Sequence, residues 1–181
     1  MTCNQSRVAE SSQPTSAALR VCRADYGNPL HGRALVDLLD AYARDPAGGG
    51  VPLSSFTKSN LVKELAARAG VFSVLAFDGD LAVGLANCFE GFSSFACRPL
   101  INVHDLAVLP NYRGRGVGKQ MLALVESIAR ARGACKLTLE VLQGNQSAIR
   151  LYERVGFANY QLDPALGNAQ FLQKWLTIEV S

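Results

Sequence analysis

Apolar residues recur along this chain with two different periods, and the points where the period changes mark its elements. Leu35, Leu38, Leu39 and Tyr42 fall at the three- and four-residue spacing of a helix face, which predicts a helix over 30–44 ended by Pro46 and the glycines 48–50. A second helix, capped by Ser59 or Asn60, carries Leu61, Leu65 and Ala69 on one face and stops at Gly70. The pattern then becomes that of strands. Residues 18–22, 71–77 and 81–89 read as strands, the last two joined at Asp78-Gly79-Asp80, a hairpin turn in which glycine supplies a positive φ. Residues 101–109 are apolar on both faces apart from His104 and Asp105, as expected of a central strand covered on both sides. Met121, Leu124, Val125 and Ile128 return to helical spacing, Gly133 ends that helix, and 136–142 is the next strand. A short helix over 147–155 carries Ala148, Leu151, Tyr152 and Val155 on one stripe, with Gly156 and Phe157 forming its C-terminal cap. Two terminal strands, 159–162 and 171–178, complete the pattern. Residues 101–141 thus form a strand, helix, strand crossover.

Length and composition narrow the reading. The 181 residues match one domain. Residues 1–16, rich in Ser, Gln and Thr, hold too little apolar surface to pack and are expected to form a frayed tail ahead of a single domain at 17–181. Lys and Arg outnumber Asp and Glu by 18 to 15 without any block of like charge, which removes nucleic acid as the leading partner. The five cysteines are scattered, with no CxxC pair and no histidines at zinc-ligand spacing, so reduced thiols in a cytoplasmic, metal-free protein are expected. No apolar run is long enough to predict a membrane span.

The chemistry is concentrated where the central strand meets Arg113-Gly114-Arg115-Gly116-Val117-Gly118-Lys119. A glycine-rich loop opening a helix presents unpaired N–H groups and the positive end of the helix dipole to an anion. A nucleotide P-loop would need Gly-Lys-Ser/Thr, but Gln120 follows Lys119; a dinucleotide fingerprint would need a third glycine where Lys119 stands. The loop instead fits [RQ]xxGx[GA] through Arg113, Gly116 and Gly118. Downstream stand Leu139-Glu140-Val141, Asn145, Ala148, Leu151-Tyr152-Glu153 and Gly156-Phe157.

These two blocks, spanning residues 100–157, resemble the GNAT superfamily of N-acetyltransferases, and the second block is especially similar to bacterial ribosomal-protein alanine N-acetyltransferases. The resemblance implies an α/β fold: a mixed, mostly antiparallel sheet of six to seven strands, helices on both faces and a splayed central strand pair. It implies acetyl-coenzyme A as cosubstrate and acetyl transfer to a primary amine by direct attack in a ternary complex. The loop residues Arg113, Gly114, Arg115, Gly116, Val117, Gly118 and Lys119 would hold the pyrophosphate. Leu106, Ala107 and Val108 would offer backbone groups to the thioester and pantetheine, Asn145 would bond the pantetheine arm, and Tyr152 would be the general acid beside the sulfur. For the base the resemblance offers Glu140, His104 and Asp105, and histidine as a residue type suits the task because it titrates near neutrality. The histone-type glutamate is replaced by Asn102. The polar residues of these strands read equally well as a satisfied polar face, and Tyr152 as a core aromatic. The acceptor, a small amine or a protein or peptide amine, is expected to lie near 51–56 and 89–99, where Phe89, Phe92 and Phe95 line a cleft or enter the core and Glu90 could pair with an ammonium. A homodimer is compatible with the family. The competing reading is a GNAT-fold module that senses acetyl-coenzyme A without turnover.

Overall fold

The computed structural model describes residues 19–161 and 163–176. Five strands form one sheet in the order β1-β2-β3-β4-β5: β1 Arg20–Arg23, β2 Val71–Asp78, β3 Leu81–Ser93, β4 Arg98–Val108 and β5 Leu137–Leu139. The first four pair antiparallel, and β5 joins β4 in parallel after the crossover through helix α3, Val117–Ala131. Helix α1, Pro29–Arg44, starts on an Asn28 cap whose side chain accepts from the Leu30 N–H, and Pro29 adds its preset φ at the first turn. Helix α2 is Ser55–Ala66, and helix α4 is Gln146–Arg154.

Side-chain alternation splits the core into two layers. On one face Phe72, Val74, Ala86 and Cys88 pack with Val117, Met121 and Val125 of α3 and with Tyr152 of α4. On the other, Leu75, Phe77 and Leu85 pack with Leu35 and Leu38 of α1. Gly84 sits where an added Cβ would lie 2.9 Å from Met121 Cε, so its lack of a side chain lets α3 close on the sheet.

The structure corrects several expectations. Helix α2 is capped by Ser54, whose hydroxyl accepts from the Thr57 N–H, five and six residues before Ser59 and Asn60; a serine with the right backbone geometry outcompetes those later polar residues for the cap. Strand β5 ends at Leu139, short of residue 142. Residues 159–161 and 171–176 form no strand among the described residues, so the sheet has five strands there rather than six or seven; residues 162 and 177–178 of those segments lie outside the described residues, as does the tail at 1–16. Phe171, Leu172, Trp175 and Leu176 are exposed there, so their apolar spacing has no sheet face to bury. Phe92 and Phe95 are exposed on the β3–β4 hairpin, outside any core.

Candidate active site

Strand β4 sets the site. It stays paired with β5 only through Ile101, Asn102 and Val103, yet continues alongside β3 to Val108, so the β4/β5 pair opens beyond Val103. The Leu109 N–H bonds to Val83 O at 2.9 Å, so by alternation Ala107 directs its peptide groups to β3, while Leu106 and Val108 direct theirs to the open edge. The opening coincides with a β-bulge. Asn87 faces Asp105 and its neighbour Cys88 faces Val103, leaving His104 as the extra residue. A bulge turns two successive side chains to one face. His104 packs edge-on against Phe89 with ring centroids 5.3 Å apart, and Asp105 Oδ2 accepts from Asn87 Nδ2 at 2.9 Å, both on the α1 side.

Beyond β4 the glycine loop leads into α3. Gly114 and Gly116 have φ of 75° and 81°, and nothing lies within 4 Å of a Cβ added to either. Gly116 caps α3 without any side-chain hydrogen bond, which leaves the first N–H groups of a 15-residue helix unclaimed. Open glycines, free N–H groups and the dipole together fit a pyrophosphate. Gly118 serves packing: a Cβ there would lie 2.8 Å from Leu151 Cδ2, so α4 approaches α3 over it. Arg113 is engaged within the protein. Its Nε donates to Val108 O at 3.0 Å and its Nη2 pairs with Asp45 at the end of α1 at 2.8 Å. That guanidinium also holds the Asp45 carboxyl below its usual range. Arg115, stacked over Tyr112 at 5.0 Å, and the exposed Lys119 supply the remaining positive charge.

Tyr152 lies on the opposite face from Asp105, 9% exposed in the α3-side core, edge-on to Phe157. Helix α4 is fixed at both ends. Asn145 Oδ1 accepts from the Ala148 N–H, while the Phe157 N–H bonds Tyr152 O and the Gly156 N–H bonds Glu153 O in a Schellman cap with Gly156 at φ 96°. Burial, with a smaller contribution from Tyr42, pushes the Tyr152 phenol up to about 12, so it is a proton donor throughout the neutral range. Tyr42 of α1 is raised as well, by burial first and then by the charges of Asp105 and Asp45, and it lines a small cavity with Asp45, Ala107, Val108 and Arg113 where α1 meets the end of β4.

Glu140 stands apart, exposed after the end of β5, where Asn102 Nδ2 reaches its two oxygens at 3.2 and 3.4 Å and Thr138 Oγ1 at 3.2 Å. Asp105 and Glu140 therefore face amides, whereas Asp40, Asp45, Glu64, Glu90 and Glu126 each pair with a cation. Glu90 in particular is bound to Arg132 at 3.0 Å. No cluster of three metal-ligating side chains occurs among the described residues, and no helix there is long and apolar enough to cross a membrane. Nothing in the residue pattern marks Asp45, Tyr42 or Asn87 as neighbours of the site, because tertiary packing alone brings them there.

A mixed sheet opened beside an uncapped glycine-loop helix is the arrangement the GNAT resemblance implies, and comparison with known proteins tests it. The Acetyltransferase (GNAT) family matches residues 35–157, more than half of the chain, and the chain belongs to that family. The streptothricin acetyltransferase of Streptomyces lavendulae is 38% identical over 100 residues, 55% of this chain and 50% of that protein. The thialysine N-epsilon-acetyltransferase of Mus musculus is 32% identical over 78 residues, 43% of this chain and 45% of that one. The chain thus spans about half the length of these relatives or less. The aminoglycoside N-acetyltransferase AAC(6')-Iy in complex with CoA shares the fold with a TM-score of 0.67 at 18% identity, covering 90% of this chain and 98% of that structure.

Proposed function

We propose that the chain is an acetyl-coenzyme A dependent N-acetyltransferase that acetylates a small cationic amine by direct attack in a ternary complex. The observation that carries this reading is the opening of β4 from β5 beside the uncapped start of α3, with the Tyr152 phenol on one face and Asp105 on the other. Loop N–H groups, Arg115 and Lys119 take the pyrophosphate, Leu106 and Val108 on the open edge of β4 bond the pantetheine and the thioester carbonyl, and the free amide of Asn145 adds a donor to the pantetheine. Asp105, with His104 beside it, holds the acceptor amine and takes its surplus proton. The neutral nitrogen forms the new bond to the carbonyl carbon, the carbon–sulfur bond breaks, the nitrogen's second proton passes to solvent, and the leaving thiolate takes the Tyr152 proton, which solvent then restores. A small cationic acceptor is favoured over a peptide because Asp105 and Glu140 face amides rather than cations, and because relatives act on streptothricin and thialysine.

The test is thiol release from acetyl-coenzyme A with streptothricin, kanamycin, lysine, spermidine and an alanine-starting peptide. Release with one amine class is expected. Tyr152→Phe should lower kcat by about a hundredfold to ten-thousandfold, the span for losing a general acid, with calorimetric affinity for acetyl-coenzyme A within about twofold of the original. Thermal stabilisation by the cosubstrate without release for any amine would replace this reading by a sensing module.

A further inference from the structure

We infer that Asn87, a buried residue of β3, is the positioning residue of Asp105, and that it aims this carboxylate at the acceptor amine through a polar row running across the sheet to Ser73 and Tyr26. The inference rests on the acetyl-transfer reading above. Ser73 of β2 is directly opposite Asn87, and Asn87 directly opposite Asp105, so three adjacent strands contribute one polar side chain each in a single line. Tyr26, in the turn after β1, extends the line: Tyr26 Oη to Ser73 Oγ 2.9 Å, Ser73 Oγ to Asn87 Oδ1 2.6 Å, Asn87 Nδ2 to Asp105 Oδ2 2.9 Å. Ser73 and Asn87 are 0% and 2% exposed, the two buried polar residues of the described core, and the neighbouring cross-strand pair on the same face is Leu75 with Leu85.

The direction of the row is fixed from the Asp105 end. An ionised carboxylate only accepts, so Asn87 must turn its NH2 toward Asp105 and its carbonyl toward Ser73. The Ser73 hydroxyl must then donate to that carbonyl and accept from Tyr26. Every donor points toward Asp105, and no member has an alternative orientation that keeps the row satisfied. Stability alone does not call for such a row, because replacing both partners of a buried polar pair with apolar groups of the same shape can be nearly neutral.

The bulge explains why Asp105 needs support. His104 interrupts the regular register immediately before it, so the ladder does less to fix the direction of the Asp105 side chain than in an unbroken strand. Asn87 takes Oδ2, and Oδ1 makes no hydrogen bond among the described residues, which leaves it to an incoming amine. Glu140 has nothing comparable. Among the described residues its only amide partner, Asn102, also serves Thr138, and no buried row stands behind it there.

The experiment is a double-mutant cycle read with the panel amine that gives the highest kcat/KM. Asn87→Ala should lower kcat/KM for the amine by about tenfold to a hundredfold, as expected of a misplaced reacting group, while KM for acetyl-coenzyme A stays within about twofold. Tyr26→Phe, at the far end of the row, should move the same parameter in the same direction by a smaller factor. Asn87→Ala combined with Asp105→Asn should lose no more than Asp105→Asn alone. If Asn87→Ala fails to fold, Tyr26→Phe carries the cycle against Asp105→Asn. Wild-type kinetics in the tested row variant, losses that multiply with that of Asp105→Asn, or a parallel rise in KM for acetyl-coenzyme A would overturn the inference while leaving acetyl transfer intact. Absence of thiol release by the unmutated protein with any amine would overturn the acetyl-transfer reading, and this inference with it, before any variant is made.

Discussion

Tyr152 and Asp105 lie on opposite faces of the sheet at its opening, and the proposed reaction asks opposite tasks of them. Tyr152 is packed among apolar groups, and burial holds its phenol up to about 12 against an ordinary 10.0. A donor with that value remains protonated until pH rises well past 10, so the turnover number should show no alkaline loss attributable to Tyr152 below about pH 10. A pH–rate profile for kcat checks this: a descending limb below pH 9 that disappears in Tyr152→Phe would contradict the buried environment. The tyrosine was legible in the sequence through its stripe and motif. The residues that act around it were not. Asn87 stands in a run that reads as a buried strand, and a hydrogen-bonded amide leaves no trace in a hydrophobic pattern. Asp45 lies 68 residues from Arg113 and could be paired with it only by the fold.

At the scale of elements, the loop before α3 and the early end of β5 make one device. The loop supplies N–H groups because Gly114 and Gly116 adopt positive φ, a region a β-branched residue enters only with strain of about 1–3 kcal/mol. Gly116→Val should therefore lower the melting temperature by a few degrees and remove calorimetric binding of acetyl-coenzyme A, since its side chain would project into the open space above the helix start. Retained affinity would show that the anion is held elsewhere. The periodicity located α1, α3, α4 and strands β2 to β4 to within a few residues, because each has a strong apolar face and a clear stop. It failed for residues 171–176, where strand-like apolar spacing has no neighbour to pair with, and it extended β5 to residue 142 although its pairing ends at Leu139. The bulge at His104 was equally hidden, since an inserted residue shifts register without changing composition. The opening of β4 from β5 had been implied by family resemblance rather than by the pattern.

The whole molecule couples these groups through a sheet with a core layer on each face, and its stability should carry their signature at both ends of the pH range. Cys88, buried in the α3-side layer, is pushed up to about 12 from an ordinary 9.0, and Tyr152 to about 12 from 10.0. In the unfolded chain both groups release their protons first, so above pH 9 the unfolded state binds fewer protons than the folded one. Their contribution is fully present below pH 9 and is lost as pH rises toward 12. Asp40 has the opposite sign. Hydrogen bonds from Lys58, the Leu53 N–H and Arg44 hold its carboxyl at about 2 against 3.8, so its contribution is present above pH 3.8 and disappears as pH falls through 2. The urea midpoint should therefore stay level between about pH 5 and 9 and fall on both sides. Asp40→Asn should flatten part of the acid fall, because it removes the carboxylate that ties α1 to Lys58 at the start of α2 and to the preceding loop, while Asp45 and Glu64, also held low by arginines, keep the rest. Cys88→Ala should flatten part of the alkaline fall while lowering the plateau, since a smaller side chain leaves space in a layer that is now closed. An unchanged alkaline slope in Cys88→Ala would mean that its thiol ionises as readily in the folded protein as in the unfolded chain. The difference in thiolate absorbance near 240 nm between the folded protein and folded Cys88→Ala, followed as pH is raised, would then show one thiol ionising near pH 9 rather than none.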